Sequence, residues 1–208
     1  MRVRNNRMKE CGYSGKEQYM KDKKILYVNA CIREESRTDK LAKALLEQLG
    51  QYDEINLEEA HIEPLNRERL NHRENLLSKG EYNDESLMLA KQFASADVIV
   101  IAAPYWDTSF PAVVKAYLEN IYVVGIVSEY DEGGNVHGLC KAEKLYYVTT
   151  AGGPYEPEFG YGYIRKLALS RFGIKDTELV FAENLDIVGN NPDEILQAAI
   201  DELNKSER

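Results

Sequence analysis

From Lys24 onward, apolar positions gather into short runs separated by stretches with a helical repeat. The runs are ILYVNA (25–30), DEINL (53–57), DVIVIAA (97–103), KLYYVTTA (144–151) and TELVFAENL (177–185). Their length and β-branched or aromatic content predict five strands. Between them, Leu41, Leu45 and Leu49 with Ala42 and Leu46 recur at helical spacing, as do Val113, Tyr117 and Ile121 with Val114 and Leu118. Ile195, Ala199 and Leu203, with Leu196 and Ile200, predict a last helix. Weaker patterns, at Leu87, Ala90, Phe93 and Ala94 and from Ile164 to Phe172, precede the third and fifth runs. Strands alternating with helices predict βα units and a parallel sheet covered on both faces.

Five such units predict an α/β three-layer sandwich wound in the flavodoxin-like order 2-1-3-4-5, with ligands beyond the carboxyl ends of strands one and three. The residues just after Ala30, Ala103 and Ala151 are therefore expected to converge. Residues 58–82 and the insertion 122–141 depart from the short-loop pattern. Residues 1–23 carry no apolar period, which predicts a poorly ordered extension ahead of one domain over 24–208; Met20 is a candidate translation start.

Composition narrows the function. The chain has 208 residues, 35 acidic against 26 basic, and a formal net charge of −9. That balance opposes attraction to nucleic acid or to anionic membranes. Cys11, Cys31 and Cys140 show neither CxxC spacing nor an even count, which favours a reducing, cytoplasmic setting over a disulfide framework. His61, His72 and His137 lack ligand spacing, so no metal site is expected. No apolar run has the length of a spanning helix.

Three carboxyl-end loops carry candidate chemistry. After strand one, Ser36, Arg37 and Thr38 open a helix, where exposed amides, hydroxyls and a cation suit a terminal phosphate. A plain N-cap by Ser36 or Thr38 is the alternative. After strand three, Pro104, Tyr105, Trp106, Asp107 and Thr108 precede Ser109 and Pro111, which read as a helix cap and first turn. A flat heteroaromatic ring could lie against that loop, or the aromatics could merely cap the core. After strand four, Thr150, Ala151, Gly152 and Gly153 let backbone approach a ligand, although a bland turn also explains two glycines.

The trio SRT, the stretch APYWDTSFPAVVKAYLENI and the segment TTAGGPY together resemble the FMN-dependent NADH:quinone oxidoreductases, or azoreductases, over about residues 24–203. The second stretch is close to that family's PMYNFSIPxxLKxYxD and keeps both prolines, Lys115 and Tyr117 in register. The resemblance implies that Ser36, Arg37 and Thr38 hold the FMN phosphate, that residues 104–108 line the isoalloxazine, and that Thr150 to Gly153 close over its pyrimidine side. It implies a homodimer with the flavin near the interface, where the insertion covers it and touches the partner. Tyr105-Trp106-Asp107-Thr108 departs from the family's Met-Tyr-Asn-Phe, and Cys31, in the same cofactor loop, stands where serine is common. Asp107 is thereby expected to lower the flavin potential.

The implied activity is hydride transfer from NADH or NADPH through FMN to a quinone, azo or nitroaromatic acceptor, in a ping-pong cycle. Nine of the 14 tyrosines lie between 105 and 163, which suits an aromatic pocket or a tyrosine-rich core. Tyr130 and Tyr155 are the candidates for substrate lining, His137 is expected at the surface, and Val123, Val124 and Ile126 are expected as exposed dimer contacts. Rival readings are a flavodoxin-type electron carrier, a reductase that releases reduced FMN, and a cofactor-free signalling domain.

Overall fold

The computed structural model describes residues 23–206; the expected extension lies, apart from Lys23, outside the described residues. Five parallel strands form one sheet: β1 (Ile25–Asn29), β2 (Tyr52–Asn56), β3 (Val98–Ala102), β6 (Lys144–Thr150) and β7 (Asp176–Ala182), in the order β2-β1-β3-β6-β7. That is the expected 2-1-3-4-5 arrangement once two short strands, β4 (Ser128–Tyr130) and β5 (Val136–Gly138), are counted in their own antiparallel hairpin.

Burial explains the order. Every residue of β1 and β3 is buried, the continuous apolar signature of strands covered on both faces. The edge strands β2 and β7 instead expose much of their length. Side chains alternate across β1: Ile25 and Tyr27 join the core beneath α1 (Arg37–Leu49) and α6 (Pro192–Ser206), whereas Leu26 and Val28 join the opposite core. That second core also takes α3 (Met88–Ser95), α4 (Ala112–Ile121) and the segment formed by α5 (Tyr161–Leu167) and a π turn (Ala168–Phe172).

Residues 58–82, set aside by pattern, contain α2 (Arg67–Lys79). It buries only Arg73 and Leu76, so no apolar period marks it. Its ends are locally encoded instead: Asn66 accepts from the Arg69 amide, and Gly80 closes the helix at φ 69°. Arg73 anchors it by donating to the carbonyls of Glu119 and Tyr122 at the end of α4. Among the described residues, no helix is long and apolar enough to cross a membrane.

Because all five strands run in parallel, their carboxyl ends form one edge of the sheet. The insertion lies at the other. Lys141 donates to the Ala94 carbonyl, Glu143 to that of Asp97, and Cys140 to that of Phe172, all ahead of strand starts.

Candidate functional site

Thr150, the last residue of β6, ties three carboxyl-end loops together. Its hydroxyl lies 2.6 Å from that of Thr38 in the first turn of α1, and its carbonyl accepts from the Tyr105 amide at 3.1 Å. Both threonines are buried. The loops after β1, β3 and β6 therefore converge as their positions in the topology require.

The β1 loop is built to present α1. Asn29, buried at the strand end, accepts from the Cys31 amide and donates to Glu54 at 2.8 Å. Tyr27 donates to Asp39 at 2.7 Å beneath the helix, and Lys43 pairs with the same carboxylate. Ser36 is the N-cap, accepting from the Asp39 amide at 3.3 Å, so the cap role foreseen for it is real. The amides of Arg37 and Thr38, in the first turn, have no intrahelical acceptor. Cys31 is buried, and burial pushes its thiol up to about 12, which keeps it protonated and unreactive at neutral pH.

The β3 loop makes a two-residue hairpin turn. Trp106 and Ser109 exchange backbone hydrogen bonds at 2.9 and 2.8 Å, and Asp107 and Thr108 between them both adopt positive φ, 48° and 66°. Pro104 and Tyr105 are half-buried; Trp106, Asp107 and Thr108 are exposed. Ser109 does not cap the next helix. Its hydroxyl donates to the Phe159 carbonyl at 2.7 Å, and Pro111 occupies the cap position without a side-chain bond. The reason is geometric: the tight turn spends Ser109's backbone on Trp106, leaving its side chain directed at the β6 loop.

Ala151 is buried, and Gly152 and Gly153 follow it into a loop laced to the segment after β7. The Ala151, Gly152 and Gly153 carbonyls accept from Leu185, Asp186 and Asn184. A side chain on Gly152 would collide with the Asp186 carboxylate, whereas one on Gly153 would meet open space. Asp186 also accepts from Arg37 at 2.7 Å. The fifth carboxyl end thus joins the site, and neither Asp186 nor Asn29 was foreseen. Asp186 was findable, since the loop after the last strand ends at the same edge as the other three.

Aromatic residues wall the side nearest β7. Tyr155 meets Tyr105 edge to face at 4.9 Å and Phe181 at 5.5 Å, and its amide donates to Glu183. Burial raises its phenol above the ordinary value. Tyr130 stands elsewhere: it is half-exposed on β4, in the insertion at the amino end of the sheet, so this chain does not bring it to Tyr155. Of the expected dimer contacts, Val123 is buried and Ile126 half-buried in the core; only Val124 is exposed. They pack inward because the chain returns from α4 under the sheet's amino end. His137 is at the surface, 3.1 Å from Asp131.

Comparison with known proteins agrees with this geometry. Residues 23–206 match the family described as the flavodoxin-like fold. The chain is 38% identical over 196 residues to the FMN-dependent NADH:quinone oxidoreductase of Clostridium beijerinckii, covering 88% of this chain and 97% of the relative. An azoreductase of Bacillus anthracis superposes with a TM-score of 0.75 at 24% identity, over 88% of this chain and 98% of that one. The FMN-dependent NADH-azoreductase of Bacillus anthracis, solved in complex with FMN, superposes with a TM-score of 0.73 at 22% identity, over 88% and 97% of the two chains.

Proposed function

The chain belongs to the FMN-dependent NADH:quinone oxidoreductases of the flavodoxin-like fold, and from that membership we propose that it passes hydride from NADH or NADPH through bound FMN to quinone, azo or nitroaromatic acceptors. The donor leaves before the acceptor enters, so both use one aromatic-walled space in turn. The observation that carries the reading is the convergence on Thr150 of the three loops that the fold presents to a ligand.

The residues fit the cofactor. The Ser36 hydroxyl, the first-turn amides of α1 and the Arg37 guanidinium would make a donor set for a phosphate monoester, whereas the Thr38 hydroxyl, expected among them, is buried against Thr150 and holds the loop instead. Open space above Gly153, beside the turn at 104–108, suits a flat ring approached by backbone. When bound, FMN supplies the hydride chemistry. The chain's work is placement: Thr150 fixes the three loops against one another, the paired Trp106 and Ser109 hold the ring-side turn, and Tyr155 with Tyr105 walls the substrate space and excludes water. Cys31 acts as a neutral spacer under the cofactor loop. In a homodimer, Tyr130 would reach a site only from the partner subunit.

The test is an absorbance spectrum after FMN loading and desalting, followed by anaerobic NADH. Retained flavin bands that bleach with NADH and return with a quinone support the enzyme. Retention without bleaching points to the electron carrier, and absence of retention overturns the FMN assignment.

A further inference from the structure

The Asp186 carboxylate pairs with Arg37, one of the residues proposed above to hold the FMN phosphate. One oxygen accepts from Arg37 at 2.7 Å, and the other lies over the bare face of Gly152, where any side chain would strike it. It therefore bridges the guanidinium of Arg37, the first residue of α1, and the first of the β6 glycines. Its backbone is fixed independently of that contact: the Asn184, Leu185 and Asp186 amides donate to Gly153, Ala151 and Gly152, and Asn190 closes the loop by donating to Ile187 and Asn184. Only the side chain is free to leave. Both partners are solvent-accessible, at 37% and 67% of the side chain, so the pair is weak enough to exchange.

We propose that Asp186 is an internal anion, a positioning residue that holds Arg37 until it is exchanged for the phosphate of an incoming phosphate monoester. The inference rests on the FMN reading. An incoming phosphate takes over Arg37, and the displaced carboxylate turns to solvent while the loop backbone stays bonded. Asp186 thereby weakens binding of phosphorylated ligands and leaves unphosphorylated ones unaffected.

Equilibrium titrations of the full chain with FMN and with riboflavin test this, read by flavin fluorescence and by Trp106, the only tryptophan. Asp186→Asn is expected to tighten FMN binding about three- to tenfold, the scale of one exposed ion pair plus one like-charge repulsion, and to change riboflavin binding less than about twofold. The gap narrows in high salt. In an Arg37→Gln background, Asp186→Asn keeps only the like-charge part of its effect and tightens FMN less than about twofold, which separates exchange at Arg37 from a general change in loop structure. Unchanged or weaker FMN binding by Asp186→Asn, or equal tightening of riboflavin, overturns the exchange while leaving the FMN site standing. Failure of both wild type and Asp186→Asn to bind FMN overturns the FMN reading and the exchange with it.

Discussion

Two double glycines close loops at opposite edges of the sheet, and they do different work. Gly133-Gly134 turns the β4–β5 hairpin, with Gly134 at φ 78°. There Asp131 consumes what the loop offers: its carboxylate accepts from the Asn135 side-chain amide, meets His137 and accepts from the Asn135 and Gly133 backbone amides, and these bonds hold it well below the usual carboxylate range. Gly152-Gly153 needs no such turn, since neither glycine has a positive φ. Its carbonyls are taken by residues 184–186, one face is covered by an exchangeable carboxylate and the other is open. A loop that satisfies itself is structure; a loop that holds a cation only by an exposed ion pair and leaves space open is a site. The dipeptide alone does not tell them apart.

The largest test of that contrast uses glycines at the two edges. At Gly138, in β5, an added Cβ would overlap the Phe172–Gly173 peptide, which cannot rotate away. Gly138→Ala is expected to cost about 2–3 kcal/mol, with Tm falling by roughly 5–10 °C for a domain of this size. Gly152→Ala meets the Asp186 side chain rather than backbone, and is expected to cost under about 1 kcal/mol because the carboxylate can rotate away and the Asp186 Cβ, at 3.3 Å, need give only a little. Thermal unfolding of both variants decides it; equal losses would mean that the carboxyl-end loop is as rigidly packed as the hairpin.

Thr150→Val gives a smaller effect. It keeps the shape and removes the hydroxyl, leaving that of Thr38, a residue 1% exposed, without its partner. The expected cost is about 1–2 kcal/mol in urea unfolding, with weaker FMN retention, and Thr150→Ser restores both. Normal stability and retention in Thr150→Val would remove Thr150 as the tie between the loops.

The sheet was legible because β1 and β3 are continuous apolar runs and their crossovers carry strong helical periods. The helix α2 was not, because it buries two residues and is specified by its caps and by Arg73. The site was half legible. Pattern located the loops after β1, β3 and β6, since topology decides which loop ends meet. It did not reveal the Arg37–Asp186 pair, which joins residues 149 apart, nor did it separate Tyr155 from Tyr130. Both tyrosines lie near double glycines in aromatic-rich sequence, and only the direction of α4 sends one of them to the far edge.

The finest test concerns turns rather than glycines. The hairpin at Gly134 puts glycine at its positive-φ position, as sterics favour; the turn at Asp107-Thr108 puts a β-branched residue at φ 66°. A left-handed conformation costs such a residue on the order of 1 kcal/mol, held in place by the paired Trp106 and Ser109 backbones. Asparagine tolerates that region without glycine's added chain entropy, so Thr108→Asn is expected to stabilise by about 0.5–1 kcal/mol and raise Tm by roughly 1–4 °C. Because the turn keeps its shape, FMN binding is expected to stay within about twofold of wild type. Calorimetry and a flavin titration on one preparation separate the two effects. A gain in Tm with weaker binding would show that the strained turn holds the ring-side loop in a geometry the relaxed one loses, and the contrast between the edges would then extend from side chains to the backbone itself.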